Sequence, residues 1–439
     1  MEKIISSKFE FRPVGQGLFF TGLFEHLVTG KKFSLVYDCG FHNQSTYSQF
    51  IDYEISDFHQ DLNGEQIDVL IISHFHSDHV NKIGSLLNKC NGAKTVFLPY
   101  INEDEKYLYL MDNLINGNQG DNDTLESFIN DPVSFLLERN VEKICFIHHN
   151  DSNDSSGSGP DFIKDNPDFF REIENNTFDF GFELNINLLE NTEIETSNDK
   201  VEHFFDDGNV SINQFWQFKF FNKKLDYSKL LDLKSQLKSL LNTKIEPNYK
   251  TVSKQLKQNH VSIEQIKQSY YSVFSPSEIN DTSLLVLNTP IYFPKVEILI
   301  CNCQRNQIHH WHRRYLCCRN SFQTRNRSIN NSFLLTGDIK LNDDCIDQIK
   351  IKWDDKNLNN IFMIQIPHHG AGNSINNYAL SSFRNLEYGV INYGLGNIFK
   401  HPHQNIIALL VNQTRRIRIK SSTQVEGLRF IYFLGKRLN

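Results

Sequence analysis

Short apolar runs, separated by stretches rich in Asn, Asp, Ser and Lys, set the pattern of this chain. Runs of that kind bounded by turn residues predict strands, whereas longer segments with apolar positions three and four apart predict helices. Phe9-Glu10-Phe11 and Gly17 to Phe24 predict a hairpin-like opening, followed by a strand that ends at Asp38. Val69-Leu70-Ile71-Ile72 is β-branched and apolar throughout, as in a parallel strand covered on both faces. Residues 84 to 90 predict a helix, and Thr95 to Pro99 a strand stopped by proline. Lys143 to Ile147, Leu284 to Leu287, Phe333 to Leu335, Ile364 to Ile366 and Gly389 to Tyr393 predict further strands. Between Leu225 and Phe274, Leu230, Leu231, Leu233, Leu237, Leu240 and Leu241 recur at helical spacing, with Lys and Gln on the other face. Two or three amphipathic helices broken at Pro247 follow, their leucine stripe joining the core. Asn116 to Asp123 and Ser152 to Pro160 read as loops. Arg415 to Lys420 alternates with Ile417 and Ile419, as in a strand with a solvated basic face.

Strands alternating with helices make this an α/β chain. Its 439 residues suggest about three domains by length alone. The candidate ligands described below spread from Asp38 to His403, which argues instead for one catalytic domain over residues 1–439. That domain carries a helical insertion at 225–275 and a Cys/His/Arg-rich insertion at 301–330. A net charge of −7 removes any global basic signature, so a nucleic-acid surface has to be local. Eight cysteines without a regular framework point to reduced thiols and a cytoplasmic protein. Met1 to Gly17 lacks the apolar core of a signal peptide, and no window approaches the roughly 18 apolar residues of a membrane span.

Candidate chemistry concentrates directly after the Val69–Ile72 run, where residues 74 to 79 read His-Phe-His-Ser-Asp-His. His74 and His76 are spaced to face one metal ion, and Asp78 and His79 can turn away to hold a second. A mixed His/Asp set suits a catalytic site better than a structural one. His148 and His149 follow the Lys143–Ile147 strand and, with His203, are candidates for a further ligand or are ordinary surface histidines.

The six-residue run resembles the HxHxDH signature of the metallo-β-lactamase fold, a superfamily of mostly dinuclear metallohydrolases. Other motifs follow in the family's order: Asp38-Cys39-Gly40, Thr336-Gly337-Asp338, Pro367-His368-His369-Gly370 and His401-Pro402-His403. The last three, with Asn280 to Leu287, are similar to the ComEC/Rec2-like hydrolase branch linked to DNA uptake. One departure is the displaced glycine of Val80-Asn81-Lys82-Ile83-Gly84. The resemblance implies an αββα sandwich with helical and loop insertions. It also implies two divalent metal ions, zinc as first choice and manganese as an alternative. Asp38 then orients a ligand histidine from behind, Asp338 bridges the ions, and His368 completes the second site, with His369 as the fallback. His401 or His403 becomes the candidate donor to substrate or is a buried structural histidine, while Asn280 and Ser283 can line the site or simply open the strand.

The reaction so implied is hydrolysis by a metal-held hydroxide, with Asp78 in the catalytic set. A phosphodiester or nucleic acid is the leading substrate class. A lactone, thioester or other ester is the alternative, as is a non-catalytic metal-binding scaffold. No membrane partner is indicated, and protein partners are not readable. One segment stands apart. Cys301, Cys303, Cys317 and Cys318 accompany His309, His310 and His312, with Arg305, Arg313, Arg314, Arg319, Arg325 and Arg327 interspersed. It can bind zinc, touch a phosphate backbone, or be a plain insertion.

Overall fold

Strands outnumber helices around the core, and their order along the chain dictates two sheets. The computed structural model describes residues 2–42, 48–116, 122–150, 177–185, 198–213, 215–223, 227–242, 252, 254, 258, 261–274, 282–291, 295–304, 325–327, 331–413 and 417–436. In the ten-stranded sheet the spatial order is Arg325–Arg327, Lys295–Gln304, Glu426–Lys436, Glu2–Phe11, Phe19–His26, Lys32–Cys39, Ile67–Ile71, Ala93–Pro99, Val141–His148 and Val201–Phe205. The first six of these pair antiparallel, and from Lys32–Cys39 onward the pairing is parallel. The eight-stranded sheet runs Arg418–Ser422, Tyr388–Asn392, Ile361–Gln365, Ser332–Leu335, Leu285–Pro290, Trp216–Phe221, Asn209–Ile212 and Phe182–Asn185. Its first four strands are parallel, the rest antiparallel.

Aromatic side chains hold the two sheets face to face. Phe9 and Phe430 of the larger sheet meet Phe333 of the smaller at 4.9 and 5.0 Å between ring centroids. Trp216 lies 5.1 Å from Phe9 and 5.2 Å from Tyr432. Large rings bury the most apolar area per residue and gain further from edge-on contact, so this cluster is the main adhesive between the sheets. Each outer face is covered in turn by helices. Helix Ser48–Leu62 and helix Ile83–Lys89 share one core with the larger sheet, while Asp343–Lys352 and Gln404–Val411 share another with the smaller. The result is an αββα layering, as expected from the resemblance.

The helical insertion contributes helices Tyr227–Leu240 and Ile263–Val273. Leu230, Leu233 and Leu237 are buried in the core beside the larger sheet, whereas Leu231 is exposed. Pro247, the loop Ser152–Pro160 and residues 305–324 of the Cys/His/Arg-rich segment lie outside the described residues. So does Asn280. The loop expected over Asn116–Asp123 is shortened from both sides by helices Glu103–Asn116 and Asn122–Asn130. The basic run ends in an edge strand, Arg418–Ser422, with Arg418 exposed. Cys39, Cys90, Cys145, Cys301 and Cys345 are buried. Among the described residues no helix is long and apolar enough to cross a membrane.

The parallel stretches matter for chemistry, because parallel strands present their carboxyl ends, and the loops that follow them, along one edge. Asp38, His74 to His79, Asp338, His368, His369 and Asn392 all stand at or just past such ends.

Candidate metal centre

Strand Ile67–Ile71 continues through Ile72 and Ser73 into the histidine run, and alternation decides which side each residue takes. Phe75 turns into the helical layer, against Phe128 and Tyr109 at 5.3 and 5.6 Å. His74 and His76 turn the other way, with Nε2 of His74 and Nδ1 of His76 only 3.1 Å apart. The short helix Ser77–Val80 then swings Asp78 and His79 toward the second sheet.

Asp38 organises this loop from behind. Fully buried, its carboxylate accepts from the Ser73 backbone N–H at 2.7 Å and from the Ser73 hydroxyl at 2.6 Å. It also accepts Nδ1–H of His79 at 2.8 Å. Burial pushes the Asp38 carboxyl up, with His79 and Ser73 pulling it partly back. Gly40 allows the close approach, since a Cβ there would lie 2.5 Å from the Asp78 carbonyl carbon and from the His79 nitrogen. Asp38→Ala should therefore weaken metal affinity by about 10- to 100-fold, the usual cost of losing such a support. Metal titration against a competing chelator checks this.

The second sheet supplies the other half. Strand Ser332–Leu335 ends in Thr336-Gly337-Asp338, where Gly337 adopts a positive φ of 54° and Ser283 Oγ accepts the Asp338 N–H at 3.2 Å. Strand Ile361–Gln365 ends in a turn whose His368 and His369 both adopt left-handed φ, 48° and 54°. That conformation is uncommon outside glycine, and such residues cluster at functional sites.

Asp78, His79, Asp338 and His369 each bring one ligand atom into a group whose members all lie within 4.8 Å of one another. Nε2 of His369 is 3.1 Å from Asp78 and 4.0 Å from Asp338. Nε2 of His79 and Oδ1 of Asp338 are 3.0 Å apart, yet neither has a hydrogen-bond partner among the described residues. Two buried polar atoms at this separation fit a cation that both would ligate. The tautomers agree. His369 Nδ1 faces the Asn392 carbonyl at 2.8 Å, which can only accept, and His79 Nδ1 faces Asp38. With Nδ1 of each ring donating behind it, the neutral form of each ring offers its Nε2 lone pair to the group. Ser73 gives its proton to Asp38, so it accepts Nδ1–H of His74 at 2.9 Å and frees that Nε2 as well.

The carboxylates set the charges of the group. Burial opposes a charge on His79, but Asp338 and Asp38 outweigh it and raise its pKa. Burial likewise opposes ionisation of Asp338, and His79, His369 and His368 together hold it well below the usual carboxylate range. His74 is pushed down by burial and by His79 and His76, leaving it neutral and ready to ligate.

The remaining candidates take other places. His368 has its Nε2 3.9 Å from Asp338, outside the group of four. His401 lies beside both, 5.7 Å from His368 and 6.3 Å from His369 between ring centroids. Burial, with His369 and His368 adding to it, pushes the His401 imidazolium down to about 3. His403 is exposed and bonded to Asn405. His148 pairs with His203 at 2.8 Å and stacks on Tyr100, while His149 donates to the Asn222 carbonyl at 2.6 Å. Neither His148 nor His149 joins the group of four. Sequence reading overlooks Ser73, Asn392 and Asp112, the last being 3.5 Å from Nε2 of His76. Ser73 and Asn392 sit at strand ends next to motif residues, a weak signal; Asp112 lies mid-helix with no signal.

Comparison with known proteins places these observations in context. No curated protein matches this chain in sequence. Solved structures that align with it include the metallo-beta-lactamase fold protein YhfI from Bacillus subtilis, at 10% identity and TM-score 0.32, covering 97% of this chain and 99% of that one. A long form RNase Z from yeast aligns at 10% identity and TM-score 0.33, covering 97% of this chain and 42% of that one. Residues 26–111, which carry Asp38, Gly40 and the whole run from His74 to His79, match the family model of the metallo-beta-lactamase superfamily, and the αββα layering is consistent with that fold.

Proposed function

We propose that this protein is a metal-dependent phosphodiesterase or nuclease of the ComEC/Rec2-like kind, built as one catalytic domain with two insertions. The observation that carries the reading is the group of Asp78, His79, Asp338 and His369, with Nε2 of His79 and Oδ1 of Asp338 buried and unsatisfied. His74 and His76 would hold one divalent ion and Asp78, His79 and His369 the other, with Asp338 available to both. Zinc is the first choice and manganese the alternative. Such a pair, when bound, supplies a hydroxide that is nucleophilic at neutral pH and neutralises charge on a phosphoryl group.

The chain's own residues prepare that site. Asp38 and the Asn392 carbonyl hold the ligand imidazoles in one tautomer and one orientation, so no reorganisation is needed at the moment of reaction. His368 and His401 stand beside the group, and His42 joins them through Phe399; the His42 ring meets Phe399 edge-on at 5.0 Å, and Phe399 stacks on His401. Imidazole donors around an anion favour a phosphodiester over a neutral ester.

Hydrolysis of bis(p-nitrophenyl) phosphate by protein loaded with Zn²⁺ or Mn²⁺, with Asp78→Ala as control, tests the reading. Turnover that disappears in Asp78→Ala supports it. Turnover of lactones or thioesters alone would overturn the substrate class, and absence of both metal and turnover would leave a scaffold.

A further inference from the structure

His79 and His369 share one wiring: Nδ1 of each gives its proton to an oxygen behind the ring, so in the neutral ring Nε2 is the lone pair. His401 is wired the other way. It stands in the turn 394–403, which Asn397 ties together by donating to the carbonyls of Gly394 and His401 at 2.7 and 2.6 Å and accepting the His401 N–H at 2.9 Å. Gln16, only 2% exposed, reaches this turn from the N-terminal hairpin. Its Oε1 accepts the Gly394 backbone N–H at 3.2 Å. A peptide N–H can only donate, so the amide is oriented without ambiguity. Nε2 of Gln16 is then the atom that faces His401 Nδ1 at 3.4 Å. An amide NH₂ also can only donate, which obliges Nδ1 to accept. A neutral imidazole has one proton, and here it must sit on Nε2.

We infer that Gln16 is a positioning residue that locks His401 in its Nε2–H tautomer, so that His401 meets the substrate as a neutral hydrogen-bond donor. The function of that donor rests on the hydrolase reading above: its Nε2–H stabilises negative charge on a phosphoryl oxygen, and no proton is transferred. Phe399, stacked on the ring at 5.7 Å between centroids, fixes the plane in which the donor points. Gln16 lies 385 residues from His401 in the chain, which is why no motif exposes the pair.

Long-range ¹H–¹⁵N spectra of the full chain labelled with ¹⁵N-histidine, recorded with and without Zn²⁺, test this directly. His401 is assigned by its absence in His401→Ala. The expected pattern is a protonated Nε2 and an unprotonated Nδ1. Gln16→Glu keeps an acceptor for the Gly394 N–H but presents a carboxylate to Nδ1, so the pattern should reverse or both nitrogens become protonated. Turnover of bis(p-nitrophenyl) phosphate should fall by about 10²-fold in kcat in Gln16→Glu and in His401→Ala, and no further in the double variant. An Nδ1–H ring in the wild-type spectrum overturns the inference, even if Gln16→Glu fails to fold. A reversed tautomer with unchanged kcat overturns the donor role. The expected tautomer in a protein that turns over no phosphodiester overturns the proposed function and leaves the hold of Gln16 on His401 standing.

Discussion

Asp338→Asn is expected to cut metal-dependent hydrolysis by on the order of 10³-fold and to lower the bound metal, while the fold survives. Asp338 is 3% exposed and faces three imidazoles, His79 at 3.0 Å, His368 at 3.9 Å and His369 at 4.0 Å. An asparagine fills the same volume and still donates its backbone N–H to the Ser283 hydroxyl, so packing is spared. What it lacks is the negative charge that both proposed ions would share. Without it, cations held there would lose the attraction of one buried carboxylate. Metal content by elemental analysis, read beside circular dichroism and turnover, checks the prediction. Unchanged metal content would remove Asp338 from the ligand set.

Gly40→Ala should cost about 1–3 kcal/mol of stability and also cripple metal binding. The added methyl would overlap backbone atoms of Asp78 and His79 at 2.5 Å, and a backbone cannot rotate away as a side chain can. Either the ligand run moves out of register with Asp338 and His369, or the strand end at Asp38 moves and the His79 support is lost. A displacement of this size is enough to disable a positioned site. Gly84→Ala is the contrast: its nearest atoms are the Arg139 side chain and the Phe135 ring at 3.2 Å, and it should retain metal. Thermal unfolding and metal titration of the two variants separate a general loss of packing from a local one.

Local pattern was enough for a good part of this architecture. Strand and helix periodicity marks Ile67–Ile71, Ala93–Pro99, Ile361–Gln365 and the leucine face of Tyr227–Leu240, because burial selects apolar residues at the repeat of the element itself. The run His74 to His79 is likewise readable as chemistry, since its four donors lie within six consecutive residues. The αββα class follows from the resemblance of motifs in order.

Tertiary structure decided the rest, and the reason is distance along the chain. Asp78 and His369 are 291 residues apart yet 3.1 Å apart in space, a proximity set by two parallel sheet edges facing each other. Between the adjacent His368 and His369, nothing in composition chooses; two successive left-handed residues turn His369 into the group of four and leave His368 beside it. Tautomers are invisible in sequence for the same reason. Each depends on one acceptor behind the ring, the Asn392 carbonyl for His369 and the Asp38 carboxylate for His79, and only the folded backbone brings that acceptor within hydrogen-bond reach.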